Sequence, residues 1–374
     1  MNLNSKGKTL VNLFAVVKQF KPQGEVIDIR EFGNGNINKT FLVTLDSEGE
    51  KHFILQCINT RVFSQPELVI QNMRICTEYM SQHLQRVPIG AGRRWEVPSV
   101  LLTQDSRDFY LDLDGSFWRA ISFIEGSQSF DTIKDTDFAR EVGYALGIFH
   151  TLLSNLPPDR LSDTLKGFHI TPHYLRHYEE VLAKYNSGKS PEKNYCLQFI
   201  SRRTSWAHFL EDARVQGRLR IRPIHGDPKV NNIMIDKATG KAISIVDLDT
   251  VKPGLIHYDI GDCLRSGCNT LGEETGQWEK VHFDPDLCKA ILQGYLSIAK
   301  EFLTENDFFY IYDSIRLIAF ELGLRFFTDY LKGNVYFKVR HPEHNLDRAL
   351  VQFKLTESIE LQEKTIRNII REIR

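Results

Sequence analysis

The stretch 224–249, IHGDPKVNNIMIDKATGKAISIVDLD, constrains this chain more than any other part of it. It opens on His225-Gly226-Asp227, and five residues after that aspartate comes Asn232. A short apolar run follows (Ile233-Met234-Ile235), then a polar turn over 236–240, then a second apolar run over 242–246 that delivers Asp247 and Asp249. Two such runs around a Gly-containing turn predict a β-hairpin. The hairpin therefore carries an aspartate and an asparagine at its entry and two carboxylates at its exit. Turns use Asp, Asn and Gly for backbone geometry alone, and His-Gly-Asp by itself would fit that use. Four oxygen-bearing side chains spaced about one hairpin go beyond what a turn requires.

Phosphoryl transfer from ATP needs such a set. One carboxylate must accept or orient the acceptor hydroxyl, and oxygen ligands must hold the magnesium that bridges the phosphates. The spacing Asp-x4-Asn is that of a kinase catalytic loop, which makes Asp227 the expected base and Asn232 an expected metal ligand. Asp247, after a strand, sits where such enzymes put their second metal carboxylate.

A chain of 374 residues is long enough for two lobes, expected here as a nucleotide-binding lobe over 1–124 and a helical catalytic and substrate-binding lobe over 125–374. A formal net charge of −1 gives no field that would favour nucleic acid or an anionic membrane. The opening MNLNSKGKTLVNLFAVVKQF has too few consecutive apolar residues for a signal peptide or a spanning helix. Six scattered cysteines without a CxxC pair predict reduced thiols, and so a cytoplasmic protein; a monomer is expected.

In order along the chain, a helix is expected over 8–20 and strands over 25–30, 40–45 and 52–57. Between the first two strands lies Phe32-Gly33-Asn34-Gly35-Asn36-Ile37-Asn38. Such a turn can lay backbone N–H groups over phosphates, and an ordinary hairpin would use the same residues. The third strand usually carries a phosphate-binding lysine in kinases; here the inward residue is Gln56. A helix over 66–83 offers Glu67 and Glu78 but no lysine to pair with them. A hairpin over 109–124, turning at Asp114-Gly115, runs into Glu125, and backbone near Phe123 and Glu125 would meet the adenine in a two-lobed kinase.

Helical periodicity then marks 137–153 with Thr136 as N-cap, followed by 174–185, 195–217, 285–301, 307–331 and a last helix from 346. His150 is expected to pack or hydrogen-bond, Asp259 to cap the helix after Pro253-Gly254, and Asp262 and Arg265 to pair one turn apart. Residues 218–222 are expected to be solvated and 268–280 to form a mobile polar loop. Arg325 falls among apolar residues, a costly place for a charge without a partner.

With HGDPKVNN and IVDLDT in hand, the chain resembles the aminoglycoside phosphotransferase-like kinases. Within them it is most similar to the N-acetylhexosamine 1-kinase family, through GNGNINKTFLV, FILQCINT, WRAISFIEG, VDLDTVKPG, DIGDCLRSG, LRFFTDYLKGNVYF and HPEHNL. The resemblance implies an α+β, two-lobed protein-kinase-like fold, with a small antiparallel β-sheet N-lobe and a mainly helical C-lobe. It implies ATP and Mg2+ as cofactors and the anomeric hydroxyl of N-acetylglucosamine or N-acetylgalactosamine as acceptor, with no nucleic-acid or membrane partner.

By position, Asp227 would be the base, Asn232 and Asp247 would hold Mg2+, and Asp249 would stand beside the substrate. Gly33, Gly35, Gln56, Phe123 and Glu125 would serve the nucleotide, and Asn38, Arg325 and Tyr336 the sugar. Asn36 departs from the histidine of that family's glycine loop. A cationic acceptor would call for an acidic groove, whereas the late helices offer Arg325, Lys332, Tyr330 and Tyr336. A neutral sugar therefore suits the chain better. Kinases of choline, homoserine, methylthioribose or aminoglycosides are the alternatives, and an inactive nucleotide-binding module is another.

Overall fold

The computed structural model describes residues 13–20, 22, 24–33, 37–86, 90–185 and 190–374. The chain divides into two compact units, Met1–Ser127 and Gln128–Arg374. In the first, strands β1 (Glu25–Glu31), β2 (Lys39–Asp46) and β3 (His52–Ile58) precede helix α1 (Pro66–Arg86), and β4 (Val100–Leu101), β5 (Tyr110–Leu111) and β6 (Phe117–Ser122) follow. They form one antiparallel sheet in the order β1-β2-β3-β6-β4, with β5 also paired to β6. The described part of the expected first helix is helical over 13–17; residues 8–12 lie outside the described residues.

Alternation in β2 and β3 sends Phe41, Val43, Leu45, Phe53 and Leu55 to one face, where they meet Val17, Phe20, Trp118 and Ala120 in a buried core. The opposite face receives Thr40, Gln56 and Arg119, which the register sets side by side across three strands. Helix α1 covers that face, burying Val69, Ile70 and Met73.

The chain passes between units at β7 (Ser127–Gln128). The second unit then runs α2 (Thr136–Leu153), α3 (Thr171–Lys184), α4 (Pro191–Ser201), α5 (Phe209–Val215), β8 (Arg222–Ile224), β9 (Ile233–Asp236), β10 (Ala242–Ile245) and β11 (Lys252–Gly254). Helices α6 (Ile256–Gly267), α7 (Pro285–Ala299), α8 (Glu305–Leu331), α9 (His344–Leu361) and α10 (Glu363–Ile373) complete it. A sheet in one unit and mostly helices in the other make the fold α+β and two-lobed. No described helix is long and apolar enough to cross a membrane.

Helices α2 and α7 approach backbone to backbone. Gly143 lies against the Ile291 carbonyl and Gly294 against the Arg140 carbonyl, and a methyl group at either would fall inside contact distance of the facing backbone. Helix α8 begins with a reciprocal capping box between Thr304 and Asp307. It ends at Leu331, with Gly333 at φ +88° just beyond, the C′ position expected of it.

Three local expectations are corrected. Asp135, not Thr136, caps α2, accepting from the Phe138 N–H at 2.8 Å. The helix expected over 195–217 is two helices, because Arg203 leaves the first to stack on Phe199 and to pair with Glu360 of α9. The loop after α6 is tied down: Glu273 meets Arg265 at 3.1 Å, and Glu274 accepts from Arg348 at 2.8 Å and pairs with His344 at 2.6 Å.

Candidate active site

In the second unit, β8 pairs antiparallel with β11, matching Ile224 with Lys252 and Arg222 with Gly254. The residues leaving β8 and those entering β11 therefore lie side by side, and Thr250 Oγ1 donates to the His225 carbonyl at 2.7 Å. Gly226, at φ +86°, has no room for a Cβ against Thr250. Arg222 at the foot of this pair is not solvated as expected. It makes hydrogen bonds of 2.9 and 3.2 Å to the two Asp307 carboxylate oxygens.

Asp259 anchors the loop from below. It does not cap α6; it sits inside that helix, wholly buried, and accepts the backbone N–H of His225 (2.6 Å) and of Gly226 (2.8 Å). It also accepts from His150 Nε2 at 2.9 Å, and the other ring nitrogen of His150 meets the Tyr295 hydroxyl at 3.0 Å, so His150 is packed and bonded as expected. Burial works against the charge on Asp259, but His150 and His225 outweigh it and hold the carboxyl below its usual range. His225 is neutral: burial depresses its pKa, Nε2 donates to the Val246 carbonyl at 3.0 Å, and Nδ1 accepts from the Asp227 N–H at 3.3 Å.

A second anchor comes from above. Buried His169, at φ +63°, places Nε2 2.7 Å from the Gly226 carbonyl and Nδ1 3.0 Å from Glu321, which also accepts from Thr171 Oγ1 at 2.6 Å. A carbonyl only accepts, so Nε2 donates to Gly226, and with Nδ1 aimed at the Glu321 carboxyl the surroundings favour the imidazolium. Burial opposes that charge, yet Glu321 and the Gly226 carbonyl outweigh it and raise the pKa.

Asp227 emerges between these anchors, half-buried, with Lys229 Nζ 2.8 Å from its Oδ2. The charges of Asp227 and then Asp247, acting against partial burial, hold the Lys229 ammonium firmly protonated. Asn232 Nδ2 donates to the Asp227 carbonyl at 2.7 Å, which turns its Oδ1 the other way. Val246 N–H donates to the Asn232 carbonyl at 2.9 Å, so the open end of the β9–β10 hairpin sets Asn232 beside Asp247. Asp247 is exposed and takes the left-handed conformation, φ 65° and ψ 54°, a strained choice for a residue other than glycine. Asp249 is buried next to it.

Among the described residues, no three of His, Cys, Asp and Glu could enclose a metal by themselves. Asn232 Oδ1 with the Asp247 carboxylate is instead a two-ligand set of the kind Mg2+ uses when phosphates and water supply the rest. The residues present fit that ion.

Arg325 lies within reach of this loop. Its guanidinium packs over the rings of Tyr174 (5.1 Å), Phe168 (5.2 Å) and Phe337 (5.6 Å), so aromatic faces take up the charge that would be costly there without a partner. Burial works against it, but the ring faces and the charges of Glu321 and Asp227 stabilise the cation. Tyr336 stands on a loop that Asp329 organises by accepting the N–H groups of Val335 (3.0 Å), Tyr336 (2.8 Å) and Phe337 (2.9 Å). Asp227, Asn232, Asp247, Asp249, Arg325 and Tyr336 thus share one region of the second unit.

The remaining candidates belong to the first unit. Gly33 has φ +75°; Gly35 and Asn36 lie outside the described residues. Asn38 Oδ1 accepts the Asn59 N–H at 2.9 Å, bracing the end of β3. Phe123 packs edge-on against Phe32 (5.9 Å) and His52 (5.5 Å). Glu125 pairs with His52 at 2.7 Å, and Arg94 takes one lone pair of its backbone carbonyl at 2.7 Å. Gln56 Oε1 accepts two N–H bonds from buried Arg119, at 3.0 and 2.7 Å.

Reading the sequence did not single out Lys229, His169 or Arg119. Lys229 had a signal, a lysine two residues after the expected base. The other two had none, because their partners are distant in the chain.

Residues 28–296 match the family described as phosphotransferase enzyme family (APH). Among solved structures, the chain is similar to the microcompartment-associated aminopropanol kinase (TM-score 0.60, 14% identity, covering 96% of this chain and 98% of that one). It is similar to choline kinase from Cryptosporidium parvum Iowa II (0.59, 14%, 97% of each chain). It is also similar to spectinomycin phosphotransferase in complex with ADP and spectinomycin (0.52, 13%, 96% and 98%). At these identities the likeness is one of fold.

Proposed function

Because the chain belongs to the phosphotransferase enzyme family, we propose that it is an ATP-dependent kinase acting on the anomeric hydroxyl of an N-acetylhexosamine. The products are the sugar 1-phosphate and ADP. The observation that carries the choice of acceptor is the pair of cations around Asp227. The Lys229 ammonium lies against it, and Arg325, stacked on aromatic rings, feels its charge. Choline or an aminoglycoside would bring a positive charge toward two others. A neutral sugar stacks on rings such as Tyr336 and takes hydrogen bonds from polar side chains without that conflict.

In this reading Asp227 accepts the proton of the anomeric hydroxyl as its oxygen bonds to the γ-phosphorus and the bond to the ADP oxygen breaks. The anomeric hydroxyl is the most acidic on a reducing sugar, so a carboxylate is base enough, and positioning supplies most of the acceleration. Asn232 and Asp247 would hold Mg2+, which when bound would supply neutralisation of the phosphate oxygens. Lys229 adds a fixed positive charge beside the transferred group, and Asp249 stands beside the substrate. The turn at Gly33, with Gln56, Phe123 and Glu125, serves the nucleotide, while Arg325 and Tyr336 serve the sugar.

The test is ATP consumption with magnesium over N-acetylglucosamine, N-acetylgalactosamine, glucose, choline, homoserine and kanamycin, with reducing ends followed in parallel. Turnover of an acetylated sugar with equal loss of reducing ends is the expected result. Turnover of choline or kanamycin alone would refute the acceptor assignment and leave the kinase chemistry standing.

A further inference from the structure

Gln56 occupies the strand position where kinases usually carry a cation for the nucleotide phosphates, and its surroundings give a neutral side chain a way to replace one. Its Oε1 accepts from Arg119 Nε (3.0 Å) and Nη2 (2.7 Å). A guanidinium only donates, so the amide has one orientation: carbonyl toward Arg119, nitrogen away from it. That nitrogen gives one N–H to Thr40 Oγ1 at 3.1 Å, on the strand that continues from the glycine turn. The nitrogen has a second N–H, and Gln56 is itself only half-buried. Arg119 itself is 1% exposed, with its third nitrogen 3.8 Å from Met73 Sδ of α1, so it cannot reach a ligand.

We propose that Gln56 binds a phosphate oxygen of the nucleotide through its outward amide N–H, and that Arg119 is the positioning residue that fixes and polarises that amide. The inference rests on the nucleotide-kinase reading above. A cation donating twice to the amide carbonyl draws electron density from the nitrogen and strengthens its N–H as a donor. Charge reaches the phosphate through the amide instead of by contact. Neither residue can be exchanged alone without loss: the amide without the guanidinium is free to turn its carbonyl toward the phosphate.

Calorimetric titration of ADP with Mg2+, and of adenosine, into the full chain tests this. Gln56→Glu keeps two acceptor oxygens for Arg119 but removes the outward N–H and sets a negative charge in its place. ADP affinity should fall roughly 10–100-fold, the scale of a lost hydrogen bond to a charged group, with adenosine affinity and the acceptor KM unchanged. ADP affinity within twofold of the parent, or an equal loss for adenosine, overturns the phosphate role. Arg119→Lys keeps the charge and loses the two-pronged grip. It should raise the KM for ATP without moving the acceptor KM, and a lowered melting temperature with unchanged ATP KM would make Arg119 merely structural and overturn its positioning role. If Gln56→Glu does not fold, Arg119→Lys decides. A parent that does not bind ADP removes the nucleotide reading, and this inference with it; a parent that binds ADP beside an unaffected Gln56→Glu removes the inference alone.

Discussion

Replacing His169 by phenylalanine isolates one of the two anchors of the catalytic loop. The ring keeps the contacts with Phe168 and Tyr258, whose centroids lie 4.0 and 5.4 Å away, but both N–H donors are lost. Glu321, 1% exposed, then keeps only the Thr171 hydroxyl, and the Gly226 carbonyl loses its ring donor. Breaking a buried charged pair from one side costs about 3–5 kcal/mol. At about 2–4 °C per kcal/mol for a unit of this size, the melting temperature should drop by roughly 6–20 °C.

The sign of the pH dependence follows from the same contact. The folded pKa of His169 lies above its ordinary 6.5, because Glu321 and the Gly226 carbonyl outweigh burial. Its stabilisation is therefore complete below the unfolded value and fades as pH rises through the folded one. Melting curves of parent and variant, taken at one scan rate from about pH 6 to about pH 9, should show the widest gap at the acid end. Since Gly226 adjoins Asp227, kcat at a pH where the variant is folded should fall by roughly 10–100-fold. A gap below about 2 °C at the acid end, less than 1 kcal/mol on that scale, or a gap that widens with pH, would refute the imidazolium assignment.

The other residues of the loop separate by what they change. Asp227→Asn should lose roughly 10²–10⁴-fold in kcat, the range for a positioned acid–base group, while binding ADP as the parent does; near-parental turnover would remove it from the base role. Asp247→Asn should keep its left-handed backbone, which asparagine tolerates, and so its melting temperature. Its activity should need more Mg2+ for half-saturation, and a parental Mg2+ titration would refute the ligand assignment. Lys229→Met should lower kcat by roughly 10²–10³-fold, the effect of removing one group aimed at developing charge, with the acceptor KM little changed. Gly143→Ala should destabilise by about 1–3 kcal/mol, since the methyl meets the α7 backbone, and an unchanged melting temperature would show that the helices can part without cost.

What the sequence disclosed divides by distance along the chain. The β9–β10 hairpin, the pairing of Asp262 with Arg265 and the C′ glycine at 333 are set by residues a few positions apart, and each is where local pattern puts it. The cap of α2 slipped by one residue because Asp135 and Thr136 are both good caps and only the backbone decides between them. The helix over 195–217 read as continuous because its apolar spacing continues across the break. One of the groups that hold Arg203 at the break, the carboxylate of Glu360, lies 157 residues away. Asp259 read as a cap because an aspartate early in a helix usually is one. Its actual partners, two backbone N–H groups 33 and 34 residues earlier, belong to a strand pairing that no local pattern states.

The groups that were illegible share a physical design. Asp259, His169 and Arg119 are each buried, and each, besides any charged or ring partner, makes hydrogen bonds to a neutral group of the site: the His225–Gly226 N–H groups, the Gly226 carbonyl, the Gln56 amide. A buried charge is costly to expose and costly to leave unpaired, so a group bonded to it has one orientation available. Placing the charge one step behind the working surface fixes direction there without drawing the charge into competition with a ligand's own. The side chains in front (Asp227, Asn232, Gln56) can then be ordinary in composition, and so visible in sequence. What aims them is long-range, and becomes visible only once the chain is folded.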